Sequence, residues 1–404
     1  MNDTKTLSEE IKQYALITAN YWAFTLTDGA LRMLVLLYFY QLGYSPFQLA
    51  SLFVFYELFG VITNLIGGWL GASFGLNKTM NIGLGLQVLA LALLLVSPQL
   101  LTVVWVMSAQ AISGIAKDLN KMSAKSAIKT LVPKDQKGQL FKWVAILTGS
   151  KNTLKGVGFF LGGFLLTQFG FHNTILIMLV LLTFVWIMSL IYLKRDLGKS
   201  KRKPKFSQIF SKNKSINFLS GARLFLFSAR DVWFVIALPV YLSEKFEWTH
   251  TAIGTFMALW IIGYGFVQTL SPQLFKKSIN LRETSISQMA GKWALLLSLF
   301  PLLISFSLGF DSYSEILLLI GLGLFGVIFA INSSVHSFLI VDIASEKSVS
   351  MDVGFYYMAN AMGRLLGTIL SGYLYQKYGL ETCLIFSSGF LLIASGLVWR
   401  IKGK

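Results

Sequence analysis

Long apolar stretches, separated by short polar segments, follow one another along almost the whole chain. A membrane-spanning helix needs roughly 20 mostly apolar residues, and twelve stretches meet that requirement. They cover residues 14–40, 46–72, 79–97, 101–128, 140–168, 173–193, 217–243, 250–274, 286–308, 314–341, 352–375 and 380–400. The pattern therefore predicts an all-α membrane protein with twelve transmembrane helices.

The composition supports lipid as the solvent of this chain. Of its 404 residues, 55% are hydrophobic and 13% are charged, whereas soluble proteins carry about 25% charged residues. The polar start, residues 1–13, does not resemble a cleavable signal peptide, so the first helix is expected to stay as an anchor. Cys383 is the single cysteine, which excludes a disulfide framework or a thiolate metal site. We expect neither a metal nor a cofactor.

The positions of the basic residues predict the orientation of the helices. Of the 35 Lys and Arg residues, only Lys245 and Lys377 fall in the loops on one side of the predicted spans. The termini, the opposite loops and a basic central segment carry an excess, and such an excess marks the cytoplasmic side. Both termini are therefore predicted to be cytoplasmic. The net charge of +17 is mostly this topological signal, so nucleic acid is not an expected partner.

The two halves of the chain repeat one another. Lys155, Gly158 and Gly170 correspond to Arg364, Gly367 and Gly379 at a constant offset of 209 residues, and Asp28 and Gly60 correspond to Asp231 and Gly263 at an offset of 203. We predict two six-helix pseudo-repeat bundles, residues 1–195 and 217–404, joined by a basic cytoplasmic linker, residues 196–216. This duplication resembles the plan of the major facilitator superfamily.

A loop motif adds partial support to that resemblance. Gly68, Leu70 and Gly75 match the superfamily motif between helices 2 and 3, but Ala72 and Ser73 replace its usual Asp and Arg. A gating ion pair supplied by that motif is therefore in doubt in this chain.

Basic residues outnumber acidic residues inside the predicted spans. The acidic residues there are Asp28, Glu57, Asp118 and Asp231, and the basic residues are Arg32, Lys117, Lys121, Lys125, Lys151, Lys155, Arg223, Arg230, Lys292 and Arg364. Each Arg or Lys at the bilayer centre costs about 2.5–3.5 kcal/mol, so most of them are expected to face a wet cavity, an acid or the interface. The excess positive charge predicts a basic central cavity for a small anionic substrate.

Several of these basic residues recur at helical spacing. Lys117 and Lys121, Lys151 and Lys155, and Arg223 and Arg230 each share a helix face. In the superfamily that the duplication resembles, helices 1, 4, 7 and 10 line the cavity and helices 5 and 11 lie beside them. The resemblance therefore implies one site with the substrate-binding residues Arg32, Lys117, Lys121, Lys151, Lys155, Arg223, Arg230 and Arg364. The acids Asp28, Glu57 and Asp231 are candidates for coupling or charge pairing, either as proton carriers or as fixed partners of the arginines. Two such pairs are open alternatives, Arg32 with Asp28 and Arg230 with Asp231.

Four segments resemble one subfamily. They are Thr18–Arg32, Ser113–Lys125, Gly149–Gly158 and Ala229–Pro239, and they are similar to the ArsJ-type organoarsenical efflux permeases of the major facilitator superfamily. The resemblance implies a bacterial inner-membrane exporter that confers arsenate resistance. It also implies the substrate, 1-arseno-3-phosphoglycerate, and a functional link to the glyceraldehyde-3-phosphate dehydrogenase that makes it.

Other functions remain open on the sequence. An organophosphate/phosphate antiporter would need the same basic cavity, and a non-transporting membrane sensor is a further alternative. An enzyme is not expected, because we find no nucleophile–base pair, metal-ligand cluster or phosphate-binding loop.

Overall fold

The computed structural model describes residues 2–131, 137–193, 213–274, 283–310, 313–343 and 349–401. Within these ranges the chain is helical throughout, apart from short turns. The helices are α1 (Asn2–Gln41), α2 (Pro46–Phe74), α3 (Leu76–Leu93), α4 (Val103–Leu131), α5 (Lys137–Tyr192), α6 (Lys214–Phe234), α7 (Ala237–Phe246), α8 (His250–Leu274), α9 (Glu283–Ser307), α10 (Ser314–Ile343) and α11 (Val349–Trp399), with a 3₁₀ turn at Pro98–Leu100. The predicted all-α class is confirmed.

Two of these helices are bent at glycines. Gly170 in α5 has φ 73° and ψ 178°, and Gly379 in α11 has φ 80° and ψ −177°. Only glycine adopts this backbone region readily. Each bend separates two helical arms that the sequence analysis predicts as separate spans. The repeat mates therefore share the same unusual conformation, which is direct structural support for the duplication.

The described residues contain eight helical stretches that are long and apolar enough to cross a membrane. Two of them, residues 150–192 and 354–399, contain the bends and have 43 and 46 residues. At about 1.5 Å per residue, each is long enough for two crossings of a hydrocarbon core about 30 Å thick. Helices α3 and α4 are not among the eight stretches, so the apolar criterion accounts for ten of the twelve predicted crossings.

The seventh predicted span is broken. Residues 217–243 were expected to form one helix, but α6 ends at Phe234 and α7 begins at Ala237. The hydroxyl of Ser371 in α11 accepts hydrogen bonds from the backbone N–H groups of Ile236 and Ala237, at 3.3 and 3.0 Å. The break persists because this side chain satisfies donors that a continuous helix would have satisfied internally.

Equivalent helices pack closely in each half. A Cβ atom at Gly158 in α5 would lie 3.1 Å from the Cα of Gly29 in α1, and one at Gly367 in α11 would lie 3.1 Å from the backbone nitrogen of Val232 in α6. Gly29 and Val232 are themselves 203 residues apart. The small residues of the repeat thus bring α5 against α1 and α11 against α6.

The two halves meet along α2 with α11 and α5 with α8. At one end of the bundle, Gly372 packs against Pro46 and Ala50, and the Phe47 N–H donates to Gln376. The side chains of Asn152 and Gln268 bond each other at 3.0 Å farther along the α5–α8 contact. The predicted division at 196–216 stays a prediction, because residues 194–212 lie outside the described ranges.

Candidate functional site

A cavity of about 180 Å³ lies between the halves. Seven of its twenty lining residues are basic, and all seven belong to the eight predicted substrate-binding residues: Lys117, Lys121, Lys151, Lys155, Arg223, Arg230 and Arg364. Arg32 lines a second cavity of about 50 Å³, whose walls share Lys155, Arg230 and Arg364 with the first. Residues from both halves are therefore brought together around one basic space.

Helix α4 contributes a lysine pair held by one acid. The ammonium of Lys121 lies 2.7 Å from Asp118, and that of Lys117 lies 3.8 Å from the same carboxylate. Lys121 also donates to Asn64 of α2 at 2.7 Å. Asp118 was recognised as a membrane acid but not as a member of the site, so the sequence analysis missed its role in positioning two lysines.

A chain of alternating charges connects the halves. Glu57 of α2 bonds Arg32 of α1 at 2.9 Å and Arg364 of α11 at 2.5 Å. The guanidinium of Arg364 also lies 3.5 Å from Asp231 of α6, and Asp231 pairs with Arg230 at 2.5 Å. The open alternative of an Arg230–Asp231 pair therefore matches the structure, although neighbouring helical side chains usually diverge.

Asp28 has a different partner from the one considered. The alternative of an Arg32–Asp28 pair is wrong, because Arg32 reaches across to α2 instead. Asp28 accepts a hydrogen bond of 2.6 Å from the Tyr56 hydroxyl. One helical turn brings two side chains near each other, but here a neighbouring helix supplies the better carboxylate.

The acidic and basic side chains around the cavity differ in their exposed fraction. The side chains of Glu57, Asp118 and Asp231 are 0–1% exposed, whereas those of Arg32, Lys117, Lys121, Arg230 and Arg364 are 10–17% exposed. These carboxylates are thus less exposed than the cations they pair with, although Asp118 also lines the larger cavity and Asp231 the smaller one. This difference in exposure presents positive charge to a solute while the acids reduce the cost of burying it.

Lys155 and Arg223 differ from the other cations. Among the described residues, neither has a carboxylate within ion-pair distance. Arg223 instead donates to Asn360 at 3.0 Å and to the hydroxyl and carbonyl of Ser333 at 3.0 and 3.2 Å. Hydrogen bonds to neutral groups fix the Arg223 guanidinium without cancelling its charge, and no ion-paired carboxylate offsets the charge of either residue.

Aromatic rings support the cations. Lys117 lies 3.9 Å from the ring centre of Tyr56, Lys155 lies 5.4 Å from that of Phe159, and Arg223 lies 4.2 Å from that of Phe227. Such contacts contribute roughly 0.5–2 kcal/mol each. They stabilise a buried cation and leave its charge available for an anion.

The sequence analysis missed several neutral lining residues. Asn360, which orients Arg223, lies 209 residues after Lys151, so the repeat offset itself is a signal that identifies it. Asn152, Tyr264 and Gln268 also line the cavity, but neutral polar residues carry no comparable signal in a sequence.

One basic residue of the predicted spans, among those whose side chains are described, does not join the lining of either cavity. Lys292 of α9 is exposed on the outside of the bundle and lines neither cavity. The side chain of Lys125 lies outside the part of the structure that is described, so its predicted place on the α4 stripe stays a prediction.

Sequence comparison identifies the family. The profile of the Major Facilitator Superfamily matches residues 17–291 and 236–403. The chain belongs to the major facilitator superfamily. It is therefore a multi-pass membrane transporter, and the predicted major facilitator fold is confirmed. The comparison with curated proteins gives no significant match.

Solved structures support the same fold. A crystal structure of a POT family transporter in complex with a thioalcohol-conjugated peptide superimposes with a TM-score of 0.76 at 14% identity, covering 96% of this chain and 95% of that chain. A POT family transporter in complex with 5-aminolevulinic acid gives a TM-score of 0.75 at 14% identity with the same coverage. Many transporter folds bind substrate at the interface between their repeats, and the basic cavity occupies that place here.

Proposed function

We propose that this transporter carries a small, multiply charged anion through its basic central cavity by alternating access. The observation that carries the proposal is the excess of cations over acids around the space between the halves. Lys155 and Arg223 have no carboxylate within ion-pair distance among the described residues, and five further cations, Arg32, Lys117, Lys121, Arg230 and Arg364, share three buried acids. An electrically neutral solute would leave this buried charge uncompensated, which is costly in a low-dielectric interior.

The size of the cavity favours a compact solute. Its volume of about 180 Å³ is below the roughly 300 Å³ typical of sites for drug-sized ligands. Arginine forks suit the paired oxygens of phosphoryl-type groups, while lysines act as point charges. A three-carbon chain with a charged group at each end combines small size with enough charge for both residue types.

The specific substrate follows from the resemblance to the ArsJ-type permeases. It is 1-arseno-3-phosphoglycerate, made by a glyceraldehyde-3-phosphate dehydrogenase when arsenate replaces phosphate, and exported across the bacterial inner membrane from a chain whose termini are cytoplasmic. The nearest rival is an organophosphate/phosphate antiporter that works inward.

Uptake into inside-out vesicles tests the proposal. The vesicles hold this protein, and radiolabelled glyceraldehyde 3-phosphate, NAD, the dehydrogenase and either arsenate or phosphate are added outside. The two anions give products of the same shape that differ at one atom, the arsenic or phosphorus of the acyl group. Accumulation of label that needs arsenate supports arsenylated substrate and outward transport. Equal accumulation with phosphate instead indicates a general organophosphate carrier.

A matched pair of lysine variants assigns the transport to the cavity. Lys155→Ala removes a cavity cation, while Lys292→Ala removes a lysine from the outer surface of the bundle. We expect accumulation to fall strongly in the first and to persist in the second. Accumulation of neither product by the wild-type protein would refute the proposed substrate, and normal transport by Lys155→Ala would refute the proposed site.

A further inference from the structure

One carboxylate oxygen joins the two halves of the transporter. Oε1 of Glu57 accepts from Arg32 of its own half and from Arg364 of the other half. The Glu57 side chain is fully buried, and both arginines line the cavities. Glu57 is thus an anionic side chain that is already bound to two guanidinium groups at the cavities.

The bonding around Glu57 is incomplete. Its second oxygen, Oε2, forms no hydrogen bond with a described residue, and neither does Nη2 of Arg32 or Nε of Arg364. All three atoms are buried. A single shared oxygen therefore leaves a donor on each arginine without a hydrogen bond, although Nε of Arg364 lies 3.5 Å from the carboxylate of Asp231. A group with several oxygens is able to engage both guanidinium forks at once.

We propose that Glu57 is a tethered anion that holds Arg364 until the transported anion displaces it, so that anion binding releases a contact between the two halves. A phosphoryl-type group satisfies the donors of Arg32 and Arg364 that Glu57 leaves unbonded. Once Arg364 has exchanged partners, the charge contact from α2 to α11 is lost. The bound anion itself then shifts the equilibrium between the two states, as a ligand does by binding one of them better.

This inference rests on the proposed function only in requiring that the transported solute is an anion. It assigns a positioning role to Glu57, which acts through Arg364. Asp28 is a suitable control residue, because it lines the larger cavity together with Arg364 and bonds Tyr56 of its own half. Replacing it removes the same charge without touching a contact between halves.

Anion affinity gives the first test. Binding of 3-phosphoglycerate and of inorganic phosphate to the purified protein is measured by titration calorimetry for wild type, Glu57→Gln and Asp28→Asn. Removal of a tethered competitor is expected to tighten binding by about tenfold to 100-fold in Glu57→Gln, the factor that one charge-assisted hydrogen bond typically supplies. The gain in Asp28→Asn is expected to be smaller, because only the general field of the cavity changes. Weaker binding in Glu57→Gln would overturn the competitor role.

Separation of the halves gives the second test, which needs no substrate. Ala50 of α2 is 1% exposed and packs against Gly372 of α11. Ala50→Cys in a Cys383→Ala background therefore places one thiol in the contact between halves. In detergent solution, a soluble maleimide is expected to label this thiol slowly in the otherwise wild-type protein and faster when phosphate or 3-phosphoglycerate is added. Glu57→Gln should label fast without anion, and Asp28→Asn should stay slow.

The outcomes separate the two proposals. If neither probe binds, the proposed anionic substrate loses support, while the labelling of the anion-free variants still tests the contact. Slow labelling of Glu57→Gln would overturn the inference even if anions bind. Should Glu57→Gln fail to fold, Arg364→Lys keeps the charge but loses the fork, and it is expected to label fast as well; slow labelling of that variant would overturn the inference.

Discussion

The two halves place their repeat mates in equivalent backbone positions but treat the charges differently. Arg364 contacts two acids, Glu57 and Asp231. Its mate Lys155 has no described carboxylate within ion-pair distance and rests on the ring of Phe159. At this pair of positions, one half therefore presents a cation fixed in an ion-pair network, and the other presents a cation without an ion-paired carboxylate.

The residues that surround Arg364 and Lys155 also differ between the two halves. At the offset of 203 residues that aligns Asp28 with Asp231, the position of Glu57 corresponds to Trp260, whose indole donates to the carbonyl of Leu322. Asp28 accepts from a tyrosine hydroxyl, but Asp231 pairs with two arginines. Duplication thus preserved the backbone frame, while the partners of the repeated charged residues diverged.

Arg364→Ala is expected to have the largest effect, on both transport and stability. It removes one of the two cations that hold the buried Glu57 and leaves Asp231 with Arg230 alone. Breaking a buried charge pair typically costs about 3–5 kcal/mol. We expect transport in vesicles to fall to background and the melting temperature in detergent to drop clearly. A melting temperature equal to that of Lys292→Ala would contradict the structural role of the network.

Lys155→Ala is expected to weaken anion binding without lowering the stability of the protein. It removes a cation without an acid partner, so the anion affinity should fall by about tenfold to 100-fold, the worth of one charge-assisted hydrogen bond. The melting temperature should stay equal or rise, because no carboxylate loses its partner. Calorimetric titration with 3-phosphoglycerate and a thermal scan of the same sample measure both quantities. A large loss of stability would show that the halves are not different in the proposed way.

Arg230→Lys and Arg32→Lys test whether the fork of these arginines is used. Each substitution keeps the positive charge but removes the planar pair of donors. We expect weaker anion binding by less than roughly tenfold, since the charge that supplies most of one charge-assisted bond is kept. Unchanged transport rates in both variants would show that these residues act as point charges only.

Much of this arrangement is encoded in features that a sequence displays. Apolar length predicts the spans, and the constant offset of Gly170 and Gly379 predicts the duplication that their shared backbone conformation supports. Lys155 and Arg364 stand out because charge in an apolar stretch is costly. The ion-pair partners of these residues cannot be predicted from the sequence. Whether Arg32 pairs with Asp28 or with Glu57, for example, depends on how α1 packs against α2. The break before Ala237 likewise depends on Ser371, which approaches from another helix.

Alanine at the two bends tests the common backbone and is expected to have the smallest effect. A Cβ atom at Gly170 or Gly379 would meet no atom within 4 Å, so any cost comes from the backbone conformation alone, about 1–3 kcal/mol. Both variants should lower the free energy of unfolding by the same amount.

Gly389→Ala is the control. A Cβ atom at Gly389 would also meet no atom within 4 Å, but the backbone there is helical, and in a helix alanine is preferred to glycine. It should leave stability equal or higher. If one bend tolerated alanine and the other did not, the two halves would differ in their backbones as well as in their charges.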